Sequence, residues 1–187
     1  RWRHRCTQKA LMETPPNWPE LFSADLPAAR QLIQVALAEG RNPLTTAETR
    51  TLLTIHGIPL APDGETSASP APPGAPIGSI RMVHDPAFGP ALRFGPDGAA
   101  ASDKYAIALP PLNPVLAREA IRHGWMGQHP PDAGVTESAL DDLALTLAKV
   151  AQLIADLGEV VELELAPLFA VADRVVVGGA RIGVAAF

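Results

Sequence analysis

Residues 136–169, TESALDDLALTLAKVAQLIADLGEVVELELAPLF, decide the fold, because within them the apolar period changes from 3.6 to 2. Leu140, Leu143, Leu147, Val150, Ala151, Ile154 and Leu157 lie on one stripe and predict a helix from Thr136 to Leu157, closed by Gly158. Val160 to Leu165 then sets apolar against acidic side chains at alternate positions, which predicts a half-buried strand. A long amphipathic helix returning onto a strand is one unit of an α/β layer. Arg174 to Val177 predicts another strand, with Ala166-Pro167-Leu168-Phe169 leading into the turn between the two.

Working outward, Asn113-Pro114 supplies a cap and a first-turn proline for a helix carrying Val115, Leu116, Ala120 and Ile121 and ending at Gly124. Short strands are expected at Ile80 to Val83, Ala91 to Phe94 and Tyr105 to Leu109. Further upstream the spacing predicts a helical hairpin over residues 23–60. Its first helix carries Leu26, Ala29, Leu32, Ile33, Ala36 and Leu37, with Ser23 or Asp25 as cap. The second opens on a capping box from Thr45 to Glu48 and stops at Gly57 and Pro59. Residues 61–79 hold five prolines and three glycines among Ser, Thr and Ala, a composition that cannot bury enough apolar surface to offset ordering. The division expected is a linker over 1–22, a helical lead-in over 23–60, a flexible connector over 61–79 and an α/β subdomain with a mixed sheet over 80–187.

Composition narrows the function classes. The 20 prolines and 15 glycines of the 187 residues call for long loops. Lys and Arg number 15 against 20 Asp and Glu, a net charge of −5, which argues against binding nucleic acid or an anionic membrane by phosphate neutralisation. The single Cys6 rules out an internal disulfide framework and a cysteine-rich zinc site and fits a reducing cytoplasm. Neither a signal peptide nor an 18-residue apolar span is present. The chain starts at Arg1 without a methionine, so a piece of a longer polypeptide is expected.

No Walker loop, H-E-x-x-H, G-x-S-x-G or dinucleotide fingerprint occurs. The five histidines show no i, i+3 or i, i+4 pair that would suit a metal. Gly95-Pro96-Asp97-Gly98, after a β-like run, forms either a tight turn or a concave set of backbone N–H groups for a phosphate. Glu162 and Glu164, two apart, share one face of their strand. They are either its wet side or oxygen donors for Mg²⁺.

Several strings in order resemble the ATP-grasp region of the NDP-forming acyl-CoA synthetases (acetate-CoA ligase, ADP-forming), in the large bacterial form that also carries a protein lysine acetyltransferase domain. They are Leu11 to Pro16, Ala36 to Arg41, Gly57-Ile58-Pro59, Asp85-Pro86-Ala87-Phe88-Gly89-Pro90, Ala108 to Asn113, Glu162 to Leu168, and Gly179-Ala180-Arg181-Ile182. The resemblance implies an ATP-grasp-like layer, Mg²⁺ and ATP as the family's cofactors, and conversion of an acid, CoA and ATP to acyl-CoA, ADP and phosphate. It further implies CoA-binding and flavodoxin-like domains, and an acetyltransferase domain, as partners in the parent chain. Taken with the residue reading above, the candidate phosphate contacts are Gly95, Asp97, Gly98 and Arg181 and the candidate metal ligands Glu162 and Glu164, while the family's own ligand positions fall on Ala166 and Gly179.

The departures are chemical deletions. The family's G-Y-P-V-A-L-K strand, whose lysine holds phosphates, and its K-S-D-x-G-G loop are replaced by the proline connector. Ile77 and Gly78 stand where glutamate and leucine would be, and Ala166 and Gly179 where an asparagine and an aspartate would hold Mg²⁺. The expectation is a truncated, degenerate ATP-grasp part, inactive by itself and binding neither cofactor. The alternative is a structural or regulatory module beside an acetyltransferase domain. On this reading, Ala166→Asn with Gly179→Asp would tighten divalent-cation binding without restoring turnover.

Overall fold

The computed structural model describes residues 24–61, 76–95, 105–126 and 135–186. Two helices come first, α1 (Leu26–Ala38) and α2 (Thr46–Ile55). Strands β1 (Pro76–Asp85), β2 (Gly89–Gly95) and β3 (Ala106–Ala108) follow, then α3 (Pro114–Ala120), which runs into a π-helical turn, Ile121–Met126. Helix α4 (Glu137–Asp156) leads to β4 (Val160–Val171), β5 (Arg174–Val177) and β6 (Ala180–Val184).

The helix starts follow local chemistry. Asp25, Thr45, Asn113 and Thr136 each accept a hydrogen bond from a first-turn N–H that the helix itself cannot satisfy. At α2 the box is reciprocal, since Glu48 N–H donates to Thr45 Oγ1 at 3.3 Å while Thr45 N–H donates to Glu48 Oε2 at 2.9 Å. Arg41 adds two bonds to the same carboxylate, at 2.6 and 2.8 Å. The Arg41 guanidinium, with the Thr45 N–H, holds the Glu48 carboxyl down at about 2. A carboxylate whose pKa is lower in the folded than in the unfolded chain adds stability that is complete above the unfolded value of 4.5 and lost as pH falls towards 2. Glu48→Gln should therefore cost about 1 kcal/mol at pH 7, a figure reduced for solvent screening, and should flatten the acid limb of a Tm-against-pH curve. An unaltered limb would show that the bonds do not form in solution.

The strands form a six-stranded sheet in the order β3-β2-β1-β4-β5, with β6 also paired to β4. Every strand pair is antiparallel. Among the described residues, the mixed character expected of the sheet is confined to one parallel bridge, Leu60 to Val177. One face of the sheet, with Ile80, Leu92, Phe94, Leu163, Leu165 and Ile182, joins α4 and the two N-terminal helices in a single buried cluster.

Several boundaries differ from the sequence reading. The 1–22 linker and residues 62–75 of the connector lie outside the described residues, but Pro76 to Ser79, assigned to that connector, are strand. Pro76 pairs with Phe169, and a register shift at Gly78 absorbs the irregularity. Gly78 has φ 148°, a conformation closed to most side chains, so the replacement of a larger residue there belongs with this bulge. Ala166 to Phe169 do not lead into a turn but continue β4 to Val171. Proline is tolerated because no ladder bond needs its nitrogen: Ala166 N–H donates to the Gly179 carbonyl at 3.0 Å and Gly178 N–H to the Pro167 carbonyl at 2.8 Å. The helix expected to end at Gly124 leaves the α form at Ala120.

Candidate functional site

The period of two that buries one face of the sheet turns the intervening side chains to the other. Arg81 sits between Ile80 and Met82 in β1, and Arg93 between Leu92 and Phe94 in β2. Register then aligns a row across five strands: Ile107 opposite Arg93, Arg93 opposite Arg81, Arg81 opposite Glu164, and Glu164 opposite Arg181. Glu162, two residues before Glu164, lies opposite Gly183.

The charges in this row are paired within the chain. Arg81 Nη2 donates to Glu164 Oε1 at 2.8 Å, and Arg181 Nε stands 3.8 Å from Glu162 Oε1. The first pair is about one-third exposed (37 % and 35 %) and the second more than half to half exposed (59 % and 50 %). Arg93 turns the other way and lies over the Tyr105 ring, 4.0 Å from its centre, a cation–π contact. Neither Arg81 nor Arg93 is singled out by motif. The available signal is a charge at alternate positions of an apolar strand, which marks the outward face.

Of the residues singled out from sequence, Glu162, Glu164 and Arg181 are brought together. Gly95 ends β2, buried and opposite Ser79, two strands from the carboxylates. Asp97 and Gly98 lie outside the described residues, as do Lys9 and Lys104. The remaining lysine, Lys149, donates to the Gly57 carbonyl at 2.5 Å, on the helical side of the molecule.

Ala166 and Gly179, where the family resemblance expects metal ligands, are adjacent, joined by the Ala166 N–H to Gly179 carbonyl bond. Neither residue carries a side-chain oxygen, and the space beside Gly179 is closed. A Cβ built on Gly179 would lie 2.7 Å from the Ala166 carbonyl oxygen, a distance that backbone must move to relieve. Glu162 and Glu164 each have a guanidinium partner, and among the described residues no group of three or more His, Cys, Asp or Glu could hold a metal ion. Mg²⁺ needs a near-octahedral oxygen set, so these residues do not fit it. Among the described residues no helix is long and apolar enough to cross a membrane.

A family model described as ATP-grasp domain matches residues 69–184. The fold is similar to that of the Pyrococcus horikoshii protein PH1788, with a TM-score of 0.71 and 17% identity over 85% of this chain and 98% of that one. It is equally similar to a dinucleotide forming acetyl-coenzyme A synthetase 1 of Ca. Korarchaeum cryptofilum, solved in complex with coenzyme A and Mg-AMPPCP. There the TM-score is 0.71 and the identity 18%, covering 84% of this chain and 100% of that one. The apo form of that synthetase gives 0.70 and 19% over the same shares. At such identities the likeness carries the fold.

Proposed function

The chain belongs to the ATP-grasp domain family, and on that premise we propose that it is an acyl-CoA synthetase ATP-grasp part that has given up phosphoryl transfer and serves as a structural module of a larger, cytoplasmic CoA-binding chain. The synthetase type rests on the ordered strings that end in Glu162 to Leu168 and Gly179 to Ile182. The observation that carries the loss is that any side chain on Gly179 would run into the Ala166 carbonyl, beside two glutamates already held by arginines. Phosphoryl transfer is catalysed mainly by positioning and by neutralising charge on the phosphates, so losing the cation's oxygen donors removes the means of both. The work left to such a module is to fill its place beside the CoA-binding domains.

Isothermal titration with Mg·ATP should show no binding tighter than roughly millimolar, near −4 kcal/mol. ADP release in the presence of acetate and CoA should stay at background. A micromolar constant or steady turnover would overturn the proposal.

A further inference from the structure

We infer that Arg81 and Arg181 replace a divalent cation on this face of the sheet, so that the charge of Glu164 and Glu162 is balanced from within the chain and the face is complete without metal. The inference rests on the proposed reading that this face once held a cation, and its test, made without nucleotide, reads the charge balance of the face separately from any nucleotide binding or turnover.

The register is the first support. Glu164 lies between two arginines, directly opposite Arg81 on one neighbouring strand and Arg181 on the other. Opposite charges facing each other across antiparallel strands stabilise the pairing, and the 2.8 Å bond from Arg81 has the length of a charge-assisted hydrogen bond. A divalent cation at Glu164 would have to take that oxygen from Arg81 while sitting among like charges.

The second support comes from β6. Arg181 reaches diagonally to Glu162, whose other oxygen, Oε2, would be 3.2 Å from a Cβ on Gly183. The carboxylate thus lies close to Gly183 of β6, with Arg181 beside it. The third support is that the neighbouring residues could offer a cation no further side-chain oxygen, since Ala166 has none and Gly179 has no room for one. Two guanidinium groups supply charge without requiring an octahedral shell.

The test is Mn²⁺ binding without nucleotide, read by the electron paramagnetic resonance signal of free Mn²⁺. The chain itself should leave the ion free up to roughly millimolar concentration. Arg81→Met with Arg181→Gln should expose both carboxylates and tighten Mn²⁺ binding by at least about ten-fold, the scale of changes around a metal's outer shell. Adding Glu164→Gln should abolish that gain. Arg181→Gln alone, at an exposed side chain, should give a smaller gain and decides the matter if the double variant does not fold. Submillimolar binding by the unmodified chain, or no gain in a folded variant, would overturn the inference.

Discussion

Gly179→Asp should destabilise the chain by about 3 kcal/mol, the upper end of the usual cost of overpacking, and should create no metal site. The sequence alone gives the opposite expectation, because an aspartate there, with Ala166→Asn, adds two oxygen donors beside Glu162 and Glu164. The packing around Gly179 weighs against it. The atom in the way, 2.7 Å from the new Cβ, is the Ala166 carbonyl oxygen, and that residue's N–H is itself bonded to Gly179. Relief must come from moving backbone in β4, the strand that pairs with β1, β5 and β6. Urea unfolding of the single variants separates the two positions: Ala166→Asn, at a half-buried site, should cost far less than Gly179→Asp. A Gly179→Asp chain as stable as its parent, or a double variant that binds Mn²⁺ tightly, would show that the strands part easily here.

Leu147→Ala should cost more, about 3 to 5 kcal/mol, by removing a branched side chain from a site that cannot collapse. Leu147 is fully buried on α4, and its stripe neighbours Leu143, Val150 and Ile154 are at most 4 % exposed. They belong to the cluster that includes Leu163 and Leu165 of β4 and Val175 and Val177 of β5. Total stabilities of domains are commonly about 5 to 15 kcal/mol, so this single change should shift the urea midpoint visibly with little change in slope. Val161→Ala, at a side chain 43 % exposed, is the control and should stay within about 0.5 kcal/mol. A loss below that figure at Leu147 would mean that the stripe does not face the sheet.

What could be read beforehand was what short stretches of chain decide for themselves. The α4 stripe, the Thr45 to Glu48 box and the Asn113 cap depend on residues a few positions apart, and each is found where the spacing puts it. Pro76 to Ser79 resisted reading because their strand is made by Phe169 and Leu168, while proline and glycine locally point to a loop. Pro167 hides the continuation of β4 for the same reason, and Gly179 to Ile182 shows in the sequence as a family string and not as a strand. At the site, the alternation put Glu162 and Glu164 on one face, but nothing near them in sequence announces Arg81. Its pairing follows from the register of β1 on β4, which only the assembled sheet defines.

The N-terminal helices are sewn to the sheet at both outer margins of β4's partners. Leu44 N–H donates to the Ile182 carbonyl and Val184 N–H to Asn42 Oδ1, while Ala61 N–H and the Pro59 carbonyl both bond Val177. The Asn42 bond joins residues 142 positions apart. Closing so wide a loop is entropically costly until the edge that receives it exists, and β6 follows the other five described strands of the sheet in the chain. The α1–α2 hairpin precedes the strands it fastens to and can be secured only when their edges are in place, so it should act as a latch on the sheet and not as its nucleus. With the latch open, the β5 and β6 edge groups that Asn42, Leu44, Pro59 and Ala61 otherwise bond would face other chains, so changes that loosen it should promote aggregation.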